Sequence, residues 1–283
     1  MNRETVLASS PLVHLVRFEH GTLEPHRDPS EESSPDFSVS FVERGSFEIE
    51  AWRRAEQFVP GMVFLSRPGL AYRCRHGEEF PQDVCFSVQF ADPALAEQAG
   101  ISSRGPAVQP SNRLAYSCLR LLAGETARRL PLALEGLAME LLAAVGEAGA
   151  ARPSRLFRAE QLSWYARRVD RARQMLEERY AEPMPLALLA REAGMSPFHF
   201  ARVFRELAGV APHRYLLGVR LRAARRLLSA GSRVTDACYA TGFSNLSHFI
   251  RQFGRAFGVS PSRLRASPAE IARKRKSGPP RSG

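Results

Sequence analysis

The sequence predicts an α+β protein in which a small β-barrel or sandwich and two helices precede an all-α domain with two helix-turn-helix units. Three observations lead to this prediction. Short stretches of alternating polarity separated by turns fill much of the first 110 residues, helical periodicity replaces them from residue 111, and one pattern occurs twice after residue 189. A length of 283 residues is enough for about two domains of ordinary size.

Positive charge is concentrated in the second half of the chain. Residues 1–151 hold 14 basic and 20 acidic side chains, a net charge of −6, whereas residues 152–283 hold 26 basic and 9 acidic, a net charge of +17. Such asymmetry is typical of a polyanion-binding module joined to a module with a different task.

Composition also disfavours several classes of protein. No apolar run approaches the roughly 20 residues of a membrane-spanning helix, and the N-terminus lacks the basic head and apolar segment of a secretory signal. The four cysteines include no C-x-x-C pair, which argues against a disulfide scaffold or a zinc ribbon. We therefore expect a cytoplasmic protein with reduced thiols and no membrane partner.

The first predicted domain covers residues 1–110. Its opening segment is expected to be irregular, with a polar, proline-bearing loop over residues 24–36. Beyond it, strands are predicted over residues 37–42, 47–51, 62–65, 71–76 and 84–90. Several short strands with turns between them indicate a barrel or sandwich.

Two helices are predicted over residues 111–150. Pro131 separates them, and the second has apolar residues with helical spacing, at Leu134, Leu137, Leu141 and Val145. These helices could pack on the barrel or on a partner chain, and we expect them to form a homodimer. Residues 151–160 are predicted as a linker, residues 161–268 as a DNA-binding domain and residues 269–283 as a disordered basic tail.

The second half contains an internal repeat. Both copies have an Ala-x-x-Ala helix, a glycine turn, a serine and two phenylalanines one helical turn apart. Four pairs of equivalent residues are each 49 positions apart: Phe200 and Phe249, Phe204 and Phe253, Gly209 and Gly258, Pro212 and Pro261. The repeat therefore encodes one supersecondary unit twice.

The residue types shared by the two copies match the needs of a helix-turn-helix unit. Glycine in the turn, Gly194 and Gly242, tolerates a positive φ. Serine before the second helix, Ser196 and Ser244, is expected to cap it. The phenylalanines anchor one helix face, so the opposite face is free for DNA, and a helix over residues 212–228, about 25 Å long, could hold the two units about one DNA turn apart.

The predicted DNA-binding residues lie on these outer faces. In the first copy they are Ser196, Phe198, Ala201, Arg202 and Arg205, and in the second copy they are Asn245, Leu246, Ser247, His248, Arg251 and Arg255. Arg202 and Arg251 are candidates for base readout because arginine pairs well with guanine. Each could instead contact a phosphate, as at least half of protein–DNA hydrogen bonds do.

The stretch from Arg167 to Ser267 resembles the DNA-binding domain of the AraC/XylS family of bacterial transcription regulators. The block G-F-S-x-x-S-x-F-x-x-x-F from Gly242, followed by G-V-S-P-x-x-x-R from Gly258, carries the resemblance. It implies binding to double-stranded promoter DNA, cooperation with RNA polymerase, and Gly242 to Ser244 opening the second reading helix. Ala201 stands where a longer polar residue often appears, which makes Arg202 the better candidate for base readout.

The first half resembles, by architecture, the cupin-like sensory domain of the same family and its dimerisation helices, which implies a small-molecule effector.

Three residues of the first half are candidates for effector binding. Cys74 and His76 fall on one face of a predicted strand, and Cys85 falls on the next strand. Two thiols and an imidazole could form a soft-metal or redox site, although buried cysteine is more often a small hydrophobic residue. The H-x-H-x(3,4)-E ligand pattern of metal-binding cupins is absent, so neither a metal nor a cofactor is assigned.

An enzymatic function has little support in the sequence. It contains no G-x-S-x-G, P-loop, G-x-G-x-x-G or H-E-x-x-H motif. The expected function is a transcription regulator that responds to a small molecule. The alternatives are a cupin-type metalloenzyme fused to a DNA-binding domain and a dimeric repressor without a ligand.

Overall fold

The computed structural model describes residues 3–19, 31–76, 83–101, 105–123, 130–148 and 155–265. The chain divides into two compact units, residues 1–162 and residues 163–283. The first four residues of the predicted linker and the whole of the predicted basic tail lie outside the described residues. None of the described helices is long and apolar enough to cross a membrane.

In the described part of the first unit, ten strands form two antiparallel sheets. The strands are β1 (Arg3–Ser9), β2 (Val13–Glu19), β3 (Glu32–Ser33), β4 (Phe37–Arg44), β5 (Phe47–Ala51), β6 (Arg54–Phe58), β7 (Val63–Ser66), β8 (Ala71–His76), β9 (Val84–Phe90) and β10 (Ala107–Val108). The larger sheet has the order β1-β2-β9-β4-β7-β10, and the smaller sheet has the order β3-β8-β5-β6. Residues from both sheets share one apolar cluster, so the described strands form an open sandwich rather than a closed barrel.

The expectation of an irregular opening segment is wrong. β1 and β2 form a hairpin, and β2 pairs along its full length with β9. Val13, Leu15 and Val16 of β2 are buried. β6 was also not predicted: four of its five residues are exposed, so its polarity does not alternate, and its place at the sheet edge comes from backbone pairing with β5.

The helices among the described residues of the first unit are α1 (Ala94–Gln98), α2 (Asn112–Ala123) and α3 (Pro131–Glu147). The larger sheet, α2 and α3 share a hydrophobic core. All four residues of the predicted stripe on α3 lie in that core: Leu134, Leu137, Leu141 and Val145. The stripe therefore packs within its own chain.

The start of the segment after α3 is fastened to the first unit by Asn112. The buried side-chain amide of Asn112 donates to the carbonyl of Arg155 at 3.0 Å and accepts from the amide of Phe157 at 2.7 Å. Helix α4 (Ala159–Glu178) begins two residues later and contains the division between the two units.

The second unit is helical throughout its described part. Its remaining helices are α5 (Leu186–Glu192), α6 (Pro197–Ala208), α7 (Pro212–Ser229), α8 (Val234–Ala240), α9 (Leu246–Phe257) and α10 (Pro261–Arg265). α5 and α6 form the first helix-turn-helix unit, and α8 and α9 form the second. α7 connects them, with Tyr215 against Phe204 at one end and Leu228 in the cluster of Phe249 and Phe253 at the other.

Candidate nucleic-acid interface

The first reading helix, α6, is built as the sequence predicts. Ser196 caps it, because its hydroxyl accepts a hydrogen bond from the amide of His199 at 3.4 Å, and Pro197 occupies the first turn. Gly194 in the preceding turn has a φ of +64°. Phe200 and Phe204 are fully buried, which fixes the orientation of the opposite face.

The second reading helix, α9, differs from prediction at its cap. Asn245 is the cap, and its Oδ1 accepts a hydrogen bond from the amide of His248 at 2.8 Å. The prediction that Ser244 caps this helix is wrong, because the second turn is one residue longer than the first. The 49-residue spacing of the repeat, applied to Ser196, gives the correct position.

The outer face of α6 presents an aromatic ring beside two cations. Phe198 is 82% exposed, and Arg202 and Arg205 are on the same side, opposite the buried phenylalanines. Ala201 is half-buried at the edge of this face. The arrangement offers two guanidinium groups for guanine or phosphate and a ring that can contact a thymine methyl group.

The outer face of α9 is more polar. Arg251 and Arg255 are exposed opposite Phe249 and Phe253, and the polar residues Asn245, Ser247 and His248 lie at the start of the helix. Leu246 packs against the core that contains both phenylalanines, so part of its side chain is unavailable to DNA.

A short chain of hydrogen bonds orients Arg202. The hydroxyl of Tyr165 on α4 lies 3.0 Å from Nε2 of His199, and Nη2 of Arg202 lies 3.4 Å from Nδ1 of the same ring. Since a guanidinium can only donate, this contact requires Nδ1 to accept, which places the ring proton on Nε2, toward Tyr165. Sequence reasoning missed Tyr165 and His199, although the spacing of three residues between His199 and Arg202 is a recognisable helical contact.

A groove in the second unit is lined by residues of both reading helices and of the connecting helix α7. It has a volume of about 1080 Å³ and is bordered by Ala201 of α6, by His213 and Arg214 of α7, and by His248 and Arg255 of α9. Its arginines, Arg214, Arg220 and Arg255, come from α7 and α9, and most of the remaining lining is apolar.

The surroundings of the candidate effector-binding residues in the first unit disfavour charged side chains. Cys74 and Cys85 belong to the apolar cluster between the two sheets. Burial raises the pKa of Cys85 to about 12 and raises that of Cys74 strongly, and the nearby Asp83 acts in the same direction. The side chain of His76 is outside the described part of the chain. Within the described ranges, no three His, Cys, Asp or Glu side chains lie close enough together to hold a metal ion.

Comparison with known proteins identifies the type of the second unit. A family model described as a helix-turn-helix domain matches residues 189–267, which include α6, α7, α8 and α9. The sequence is similar to the transcriptional regulator GlxA of Rhizobium meliloti, with 33% identity over 167 residues, or 59% of this chain and 49% of GlxA. It is 35% identical over 107 residues to the transcriptional activator RhaS of Escherichia coli, which is 38% of each chain.

A solved structure is similar to part of this chain. The probable AraC family transcriptional regulator from Rhodopseudomonas palustris has 32% identity, with coverage of 36% of this chain and 99% of that chain, and a TM-score of 0.35. The aligned part of our sequence spans about half, or less, of the length of the two curated relatives.

Proposed function

The chain carries the helix-turn-helix domain of the AraC/XylS regulators, and from this we propose that it is a cytoplasmic transcription regulator that binds promoter DNA sequence-specifically. The observation that supports this most is the pair of capped reading helices, α6 and α9. Each buries two phenylalanines and exposes arginines on the opposite face. A repeat that served only as a scaffold would not need arginines on both exposed faces, and a net charge of +17 over residues 152–283 favours contact with phosphate.

The experiment is selection of binding sequences from random duplex DNA by the full chain, followed by titration of the selected site. We expect a preferred sequence with two half-sites for each bound chain, one for each reading helix. Affinity should fall by about 1,000-fold or more between roughly 50 and 200 mM salt if at least six phosphates are contacted. Equal binding to the selected site and to random duplex would contradict the proposal.

We propose further that the protein is a homodimer, through a surface other than the stripe expected from the sequence. The opposite side of α3 presents the outer α3 face, consisting of Leu132, Gly136, Met139 and Ala143. Leu132 is 83% exposed and Met139 is 45% exposed, and a methyl group added at Gly136 would meet nothing within 4 Å. Apolar residues at helical spacing on an exposed face favour pairing with a second copy.

The first unit, in this proposal, is the sensor of a small molecule. Its inter-sheet cluster is rich in aromatic residues, including Phe47, Phe58 and Phe64, which suits an apolar or amphipathic effector. Cys74, His76 and Cys85 are the polar groups proposed to contact it. RNA polymerase is the proposed partner at the promoter.

An effector must bind two states of the protein unequally in order to change its affinity for DNA, and a typical coupling is about 1–3 kcal/mol. The test compares binding of the full chain to its selected site with and without fractionated cell metabolites. A shift of about fivefold or more in affinity supports a sensor. If no fraction shifts the affinity, the first unit only dimerises, which is the ligand-free repressor alternative.

A further inference from the structure

The turn between α4 and α5 is held by a single side chain of the connecting helix α7. Arg220 donates from Nε to the carbonyl of Tyr180 at 2.7 Å and from Nη2 to the carbonyl of Glu182 at 2.9 Å. The turn is also closed from within, because Arg179 donates to the carboxylate of Glu182 at 2.6 and 3.1 Å. Two bonds from a planar guanidinium fix both the position and the direction of the backbone that they join.

The same turn contacts the second helix-turn-helix unit. Gly242, between α8 and α9, has a φ of +82°, and a Cβ at this position would lie 2.6 Å from the carbonyl oxygen of Ala181. Only a residue without a side chain permits this approach. Residues 180–182, which precede the first helix-turn-helix unit, therefore contact the connecting helix on one side and the second helix-turn-helix unit on the other.

These contacts supplement the connection that α7 provides along the chain. Near its start, Tyr215 packs edge-on against Phe204 of the first helix-turn-helix unit. Toward its end, Leu221 and Leu228 belong to the core of Phe253. A lone helix would allow the two helix-turn-helix units to twist relative to each other by bending, whereas a second attachment through Arg220 restrains that motion.

We propose that Arg220 is a positioning residue that fixes the separation and relative rotation of the two reading helices and thereby restricts the protein to one spacing between its half-sites. The inference rests on the proposed function, since it concerns how the two helices read DNA together. One extra base pair between half-sites moves the second by about 3.4 Å along the duplex and by about 35° around it. A rigid pair of helices cannot follow both changes, but a pair freed from the restraint can adapt by twisting.

The experiment uses the full chain and a series of duplexes carrying the selected site with zero, one or two base pairs inserted between the half-sites. The wild-type chain should lose about tenfold or more in affinity on the first insertion, comparable to a mismatched base pair. Arg220→Met, which removes both hydrogen bonds, should bind the uninterrupted site more weakly and lose only about threefold or less on insertion.

Two further variants control for charge and for folding. Arg226→Met removes an exposed arginine from the same helix, and it should keep the steep spacing dependence of the wild type even if its affinity is uniformly lower. Arg220→Gln, whose amide can reach only one of the two carbonyls, should show a loss of affinity on insertion between those of the wild type and Arg220→Met. If circular dichroism shows that Arg220→Met does not fold, Arg220→Gln provides the test.

The outcomes separate the two proposals. If the folded Arg220 variants lose as much affinity on insertion as the wild type does, Arg220 does not position the reading helices. That result leaves the proposal of DNA recognition intact. An equal loss of spacing dependence in Arg226→Met overturns it as well, because charge alone would then explain the effect. A wild-type chain with no preferred sequence contradicts the proposed function itself.

Discussion

Ser196 and Asn245 lie 49 residues apart and cap equivalent reading helices. In each case a side-chain oxygen accepts a hydrogen bond from the amide three residues later, His199 in α6 and His248 in α9. Ser244 is exposed one residue before the second cap and makes no cap contact with α9 among the described residues. The position in the 49-residue repeat, rather than the residue type, therefore determines which residue caps each reading helix.

The first prediction separates the two candidate caps. Asn245→Ala should lower the free energy of unfolding by about 1 kcal/mol, because it removes the acceptor for the amide of His248. Ser244→Ala should change the free energy of unfolding by less than about 0.5 kcal/mol. Denaturant unfolding of the full chain, followed by helical circular dichroism, measures both. Equal losses in the two variants would show that Ser244 caps the helix in solution.

The second prediction concerns the phenylalanines on opposite faces of α6. Phe204→Ala should destabilise the second unit by about 3–5 kcal/mol, because its ring is fully buried beside Phe200. Phe198→Ala is the matched control: its ring is 82% exposed, so its removal should change stability by less than about 0.5 kcal/mol. Thermal unfolding gives both values. Phe198→Ala should nevertheless weaken DNA binding. If its affinity for DNA equals that of the wild type, Phe198 does not contact DNA.

Much of the second unit was predictable because its pattern is local and occurs twice. The spacing of Phe200 and Phe204 predicts a helix and its buried face, and both follow without knowledge of any distant residue. The stripe on α3 shows the limit of such reasoning. Its period predicts a helix, but α3 is apolar on both sides, so periodicity alone could not say whether Leu141 or Met139 faces the core.

The first unit was less predictable for a related reason. β2 is buried through pairing with β9, a strand about 70 positions later in the chain. β6 pairs with β5 along its length but buries only one apolar side chain, that of Phe58, so its polarity gives no alternating pattern. Among the interface residues, Tyr165 was missed because it reaches His199 from another helix. Its role depends on a tertiary contact between two helices, which the local spacing of residues does not predict.

The third prediction tests base readout by the two reading helices. Arg202→Ala and Arg251→Ala should each relax preference at one base-pair position, with a cost of about 1–3 kcal/mol at that position. His199→Phe removes the ring nitrogen that orients Arg202. It should relax the base preference at the same position as Arg202→Ala does, to a smaller extent. Binding to a complete set of single-base variants of the selected site measures the effect. If affinity falls equally for all sequences, these arginines contact phosphates.

The fourth prediction tests the outer α3 face. Met139→Glu should shift the protein from dimer to monomer at micromolar concentration, because it puts a charge at the centre of the proposed interface. Gln57→Glu adds the same charge on the exposed side of β6 and should leave the dimer unchanged. Leu141→Glu, by contrast, should unfold the first unit, since Leu141 is fully buried. Sedimentation velocity distinguishes these outcomes, and a wild-type monomer contradicts the dimer.

The last prediction concerns the thiols between the two sheets. Burial raises the pKa of Cys85 to about 12 and also raises the pKa of Cys74. Both should therefore stay protonated and resist alkylation by iodoacetamide in the folded chain from pH 7 to 9, and both should react once the chain is unfolded, where a thiol has a pKa of about 8.5. Because the folded state disfavours the thiolate, stability from these groups is fully present below about pH 8.5 and declines as the pH rises above it. Peptide mass spectrometry after timed alkylation follows each cysteine separately. Rapid modification of Cys74 and Cys85 in the folded chain at pH 7 would instead indicate thiolates and favour a metal or redox site, whereas protection of both fits packing as small hydrophobic residues.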